Sequence, residues 1–185
     1  MMSKKVLVAI ADGTEELEAV TIIDVLRRAE ADVTVASVGA QQVTASRGVN
    51  LVADTVISDC VGNIYDLIVL PGGMPGAEHL RDSSELTEML KDQAASGRLY
   101  AAICASPAVV LKPHSLLENK KATCYPSLIS ELDNAEQAKV VVDGNCITSQ
   151  GPATALEFSL KLVELLFGKE KSQEVAKAML VFPLS

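Results

Sequence analysis

The chain has 185 residues, 49% hydrophobic and 22% charged, which suits one domain with a sizeable core, here read as spanning 1–185. Its net charge is −8, with no Lys/Arg cluster, no Trp and only three Phe and three Tyr, so a module gripping a nucleic-acid backbone is not expected. No apolar run is long enough to span a bilayer, and the opening "MMSKKVLVAI" breaks at Asp12 without the longer apolar stretch of a secretory signal, which points to a cytoplasmic protein with no membrane partner.

In chain order, "KVLVAI" (5–10) reads as a strand, and "EELEAVTIIDVLRRAE" (15–30) has helical spacing with Ala19, Ile22, Ile23, Leu26 and Ala29 on one face. "DVTVASV" (32–38) is a second strand, so the first three segments form a βαβ unit. A hairpin-like excursion follows in "QQVTASRGVNLVAD" (41–54). "YDLIVLPGG" (65–73) is a strand apolar on both faces that ends in a glycine pair. The helix "SSELTEMLKDQAASG" (83–97) closes on a glycine. "LYAAIC" (99–104) is a strand leading into the helix "PAVVLK" (107–112). Two β runs, 138–142 and 145–150, flank Asp143-Gly144, a strong hairpin turn signal. Two helices, 152–168 and 169–180, complete the chain.

Strands without alternation are buried on both faces, which predicts a mostly parallel sheet with helices on both sides: an α/β domain with ligands at the carboxyl ends of its strands. The cysteines, Cys60, Cys104, Cys124 and Cys146, form no CxxC pair, and neither His79 nor His114 adjoins one. Neither a metal nor a cofactor is therefore expected, and the bland reading is four reduced thiols. His79 reads as a helix-surface residue and His114 as a loop or helix-start residue, both solvated.

Three strand ends carry unusual residues. In "AAICASP" (101–107) a cysteine sits among small residues, as a sharp strand-to-helix turn requires, and Pro107 suits the first turn of the next helix. The dipole of that helix would favour a Cys104 thiolate. From this heptapeptide alone, an inert core cysteine and a presented nucleophile stand equally. Gly72 and Gly73 after a buried strand allow backbone N–H groups to approach a ligand, or make a plain turn. In the acidic helix start, a 100° step places Glu16 at the edge of the apolar stripe and Glu18 in line with Ile22, Val25 and Ala29. Glu15 also points inward, at the helix tip. Glu18 is thus the carboxyl expected to be buried, with a raised pKa suited to acid/base work. A thiol, a carboxyl and backbone donors at one sheet edge suit covalent chemistry on a carbonyl.

"GTEELEAV", "SRGV", "LPGG…GAE", "AAICASPAVVL" and "TSQGPATALEF", in this order, resemble the ThiJ/PfpI superfamily, in the branch of the Parkinson-disease-associated protein deglycase and its bacterial relatives. The resemblance implies a flavodoxin-like (class I glutamine amidotransferase-like) sandwich and a homodimer. It implies that Cys104 is an oxidisable nucleophile, that Glu18 is a protonated carboxyl bonded to its sulfur, and that Gly73 and Ala105 supply the N–H donors of an oxyanion pocket. It further implies that Pro152 forms a pocket wall, and that Arg28, with Arg47 from the neighbouring subunit, lines the site. The activities it implies are glutathione-independent conversion of methylglyoxal to lactate and deglycation of early adducts on Arg, Lys and Cys, with redox sensing or chaperone-like protection as the alternative. Where many relatives carry a histidine this chain has Tyr125, a poor base at neutral pH, so Glu18 is left as the principal proton carrier. The peptidase-like branch has a histidine where Ala105 stands, which argues against proteolysis.

Overall fold

A computed structural model describes residues 3–181. A parallel sheet runs in the order β5 (Thr55–Val56), β2 (Asp32–Ser37), β1 (Lys5–Ile10), β6 (Leu67–Leu70), β7 (Leu99–Ile103), β9 (Cys146–Ser149), with β8 (Val140–Asp143) antiparallel at the far edge. β3 (Gln42–Thr44) and β4 (Asn50–Val52) form a separate antiparallel hairpin. Each predicted strand is present; β8 runs through Asp143, which pairs with Cys146, so the hairpin turn is Gly144-Asn145, one position beyond the predicted Asp143-Gly144.

Helices cover both faces because the central strands are apolar on both. Leu7, Ala9, Leu70 and Tyr100 pack toward α2 (Gly76–Asp82) and α3 (Ser84–Ala95). Val6, Val8, Ile10 and Val69 pack toward α1 (Glu16–Arg28), α4 (Ala155–Phe167) and, beyond it, α5 (Lys169–Ala178). Helix α1 buries Ala19, Ile22, Val25 and Leu26, and its acidic first turn and basic last turn both complement the helix dipole. This is the flavodoxin-like α/β arrangement, with β1, β6 and β7 delivering their carboxyl ends to one rim.

One element differs in kind. Pro107–Leu111 is a single turn of π-helix, closed by the Lys112 N–H donating to the Pro107 carbonyl over 3.0 Å, and not the expected α-helix. Among the described residues no helix is long and apolar enough to cross a membrane.

Candidate active site

Cys104 follows the last residue of β7 and has a φ of +65°, a left-handed conformation that costs a residue with a Cβ about 1 kcal/mol or more. Backbone bonds on both sides hold it: its N–H donates to the Ser149 carbonyl over 3.0 Å, and its carbonyl accepts from the Tyr125 N–H over 2.8 Å. The bend turns the sulfur off the strand axis, and only small residues fit beside it. A Cβ on Gly72 would lie 2.5 Å from Cys104 Cβ and 3.0 Å from its Sγ. Gly73, at φ +89°, has its α-carbon against the Gly13 carbonyl and the Glu15 N–H, where a Cβ would come within 2.4 Å of both.

Glu18 is fully buried in the first turn of α1. Its Oε2 accepts the Gly72 N–H over 2.7 Å, while Oε1 has no conventional partner. The Cys104 thiol neighbours the carboxyl, and the interaction between them shifts both groups. Burial pushes Glu18 up to about 7 against the Gly72 and Cys104 hydrogen bonds, with the Glu15 charge adding to the rise. Burial, and then the neighbouring Glu18 charge, pushes Cys104 up to about 12, against the lowering pull of the Gly73 and Ala105 amides. The two groups act on each other and titrate as a pair, and burial pushes both upward. The pull toward a thiolate expected from the following turn is opposed here by burial and by the neighbouring Glu18 charge.

The sulfur opens onto a cleft of about 450 Å³ whose walls include Gly73, Ala105, Tyr125 and Pro152, with Glu15 and Arg47 at its mouth. Tyr125 is 44% exposed and lays its ring against Gly151. Arg47 reaches the cleft from its own chain, which corrects its assignment to a neighbouring subunit. The hairpin turn that carries it is docked by the Ser46 N–H on the Thr14 carbonyl (2.8 Å) and by Glu16, whose Oε1 accepts the Arg47 N–H (2.9 Å). Burial works against the Glu16 charge, but backbone amides and the Ser46 hydroxyl outweigh it and hold the carboxyl below its ordinary range.

Arg28 does not line the cleft of this chain: it sits at the far end of α1, paired with Asp24 over 2.7 Å at the surface. His79 is exposed on α2, whereas His114 is half-buried, its Nε2 2.9 Å from the Arg81 carbonyl and 3.2 Å from Thr87 Oγ1, so the solvated reading of His114 is corrected. Sequence reasoning did not find Ser46, which touches both Glu15 (2.7 Å) and Glu16 (3.0 Å), nor Met74 and Val109 in the cleft wall. Their contacts cross between segments distant in sequence, and no periodicity records such contacts. Among the described residues no cluster of three or more His, Cys, Asp or Glu is placed to hold a metal ion.

A flavodoxin-like sandwich with a cysteine on a strained corner, a buried carboxyl beside it and glycine amides opposite defines a class of cysteine-centred α/β domains. The chain belongs to the DJ-1/PfpI family, which residues 4–165 match. It is 54% identical over 180 residues to Protein DJ-1 homolog B of Arabidopsis thaliana, covering 96% of this chain but only 41% of that protein, so the chain spans less than half of this longer relative. It is 34% identical to the glutathione-independent glyoxalase DJR-1.2 of Caenorhabditis elegans, covering 91% of each. The solved structure of oxidized Toxoplasma gondii DJ-1 superposes with a TM-score of 0.95 at 50% identity, covering 96% of this chain and 98% of that one.

Proposed function

We propose that this chain forms a single-domain, cofactor-independent glyoxalase and deglycase that detoxifies methylglyoxal and early glycation adducts in the cytoplasm. One observation carries the reading: a cleft-facing cysteine in direct interaction with a buried carboxyl that titrates near 7. The likeness to the worm glyoxalase supports it.

As the Cys104 sulfur adds to the aldehyde carbon, its proton passes to Glu18. The C=O π bond opens, and the new alkoxide lies at the Gly73 and Ala105 amides. Glu18 returns the proton to that oxygen, giving a hemithioacetal. The carboxylate then removes the hydrogen on the former aldehyde carbon and delivers a proton to the adjacent ketone carbon, while the hemithioacetal's hydroxyl proton passes to the former ketone oxygen, leaving a thioester C=O beside a new C–OH. One carbon is oxidised as its neighbour is reduced, so no external electron carrier is needed. Water cleaves the resulting lactoyl thioester into lactate and the free thiol. For an adduct on Arg, Lys or Cys, cleavage of the carbinol C–N or C–S bond frees the side chain, and the released dicarbonyl follows the same route. Pro152 and Tyr125 wall the cleft, and Arg47 offers a cation at its mouth.

The test is lactate formation from methylglyoxal without glutathione. Wild type is expected to turn over and Cys104→Ser to fail; a Cys104→Ser protein that still makes lactate sinks the mechanism.

A second reading is favoured by one further observation. Cys104 is the one free thiol that is not buried, as a redox sensor or redox-regulated chaperone would require. The exposed Leu17 and Val20 of α1, with Val49 and Val52 of the hairpin region, supply an apolar face suited to a homodimer. Sedimentation of wild type beside Val20→Asp tests it, with a shift from dimer to monomer expected.

A further inference from the structure

Ser106 lies two residues beyond the cysteine corner and is fully buried. Its hydroxyl donates to the Pro71 carbonyl over 2.5 Å, which joins the corner to the stretch that leaves β6. That stretch carries two of the amides at the site. Gly72 donates to Glu18 Oε2, and the Gly73 amide acts on the Cys104 sulfur. Its other bonds run elsewhere: the Gly72 carbonyl accepts from the Glu15 N–H, and the Gly73 carbonyl from the Ala77 N–H, both over 2.9 Å.

We propose that Ser106 is a positioning residue for the reaction assigned above, its hydroxyl clamping Pro71–Gly73 onto the corner so that Gly72 stays on Glu18 and Gly73 on the sulfur. The role rests on that functional reading, but the clamp itself has a signature independent of turnover. Without the hydroxyl, the Pro71 carbonyl loses a buried donor, and the glycine stretch, still held by the Glu15 and Ala77 amides but no longer tied to the corner, shifts away from Glu18 and the sulfur. Both amides favour the charged forms of the groups they touch, so their withdrawal moves both groups upward. Cys104 shares the cleft with Glu15, Arg47 and Tyr125, and Glu18 feels the Glu15 charge; none of these groups is altered by a change at Ser106.

The experiment measures the rate of Cys104 alkylation by iodoacetamide between pH 7 and 9, read by mass spectrometry on folded protein, together with kcat and KM for methylglyoxal. For Ser106→Ala the alkylation rate at each pH is expected to fall roughly threefold to tenfold. kcat is expected to fall about tenfold with KM little changed, a fraction of the loss caused by deleting an oxyanion donor outright. Ser106→Thr, which keeps the hydroxyl, is expected to restore the alkylation rate. Ser106→Gly serves as the hydroxyl-free variant if the alanine protein does not fold. A wild-type alkylation rate in either hydroxyl-free protein, or a threonine variant that slows as far as alanine, overturns the clamp. If alkylation slows while even wild type makes no lactate, the clamp stands and the glyoxalase reading falls.

Discussion

Gly72 and Cys104 are packed so closely that a methyl group on Gly72 would lie 2.5 Å from Cys104 Cβ, with the Ala105 nitrogen 3.0 Å away on the same side. The obstacle is partly backbone and partly a Cβ whose corner is held by two backbone hydrogen bonds, so neither can swing aside. Gly72→Ala is therefore expected to destabilise the fold by about 1–3 kcal/mol through overpacking. It should also displace the Gly72 amide from Glu18 and remove nearly all turnover. Denaturant titration and kcat/KM on methylglyoxal check both effects.

Glu18→Gln separates the carboxyl's proton chemistry from its shape. Glu18 ordinarily titrates near 4.5 and is raised to about 7 in the fold, so the folded state holds the proton more tightly. That contribution is fully present below about 4.5 and is lost as pH rises through 7, a change on the order of 3 kcal/mol. Wild-type stability should decline across this window, and Glu18→Gln, which does not titrate, should lack that decline. Turnover should fall by about 10²–10⁴-fold. The wild-type rise of kcat/KM with pH through about 7 should vanish. Thermal melts and rate profiles from pH 4 to 9 give both readouts.

Graded peroxide should oxidise Cys104 well before the other three thiols. Cys60, Cys124 and Cys146 are all buried, and burial also pushes Cys124 up to about 11 and Cys146 up to about 12. Since burial pushes Cys104 up as well, access and the neighbouring carboxyl must set the order. Peptide mass spectrometry after each dose reads it; simultaneous oxidation of all four thiols counts against a tuned cysteine.

Arg47 and Arg28 should behave differently. Arg28→Ala removes a surface ion pair with Asp24, both partners about half exposed, and should change stability by less than about 1 kcal/mol. Arg47 has no carboxylate partner among the described residues and stands at the cleft mouth. Arg47→Ala should raise KM for an aldehyde bearing an anionic group more than for methylglyoxal. Equal effects on both substrates would remove Arg47 from substrate recognition.

Much of this site is legible along the chain. Phase arithmetic on α1 places Glu18 inward because a 100° step is a local property, and the small residues around Cys104 mark a tight corner for the same reason. The docking of the hairpin turn is not legible. Ser46 meets Glu15 and Glu16 across about thirty positions, and Arg47 enters the cleft only because those contacts hold the turn there. The Ser106–Pro71 bond likewise spans 35 positions between two strand ends.

The sequence by itself determined the order of the main strands and helices, though not α2 or the two-residue β5, together with the two-faced burial of the central strands and the candidacy of Cys104 and Glu18, because periodicity and residue size act over a few positions. Only the tertiary structure decided how the site is charged. The same burial that brings Cys104 and Glu18 together pushes both upward, against the pull toward a thiolate that the local sequence suggested. Desolvation depends on everything packed around a group, and β6, β7 and α1 surround this pair only once the sheet has assembled.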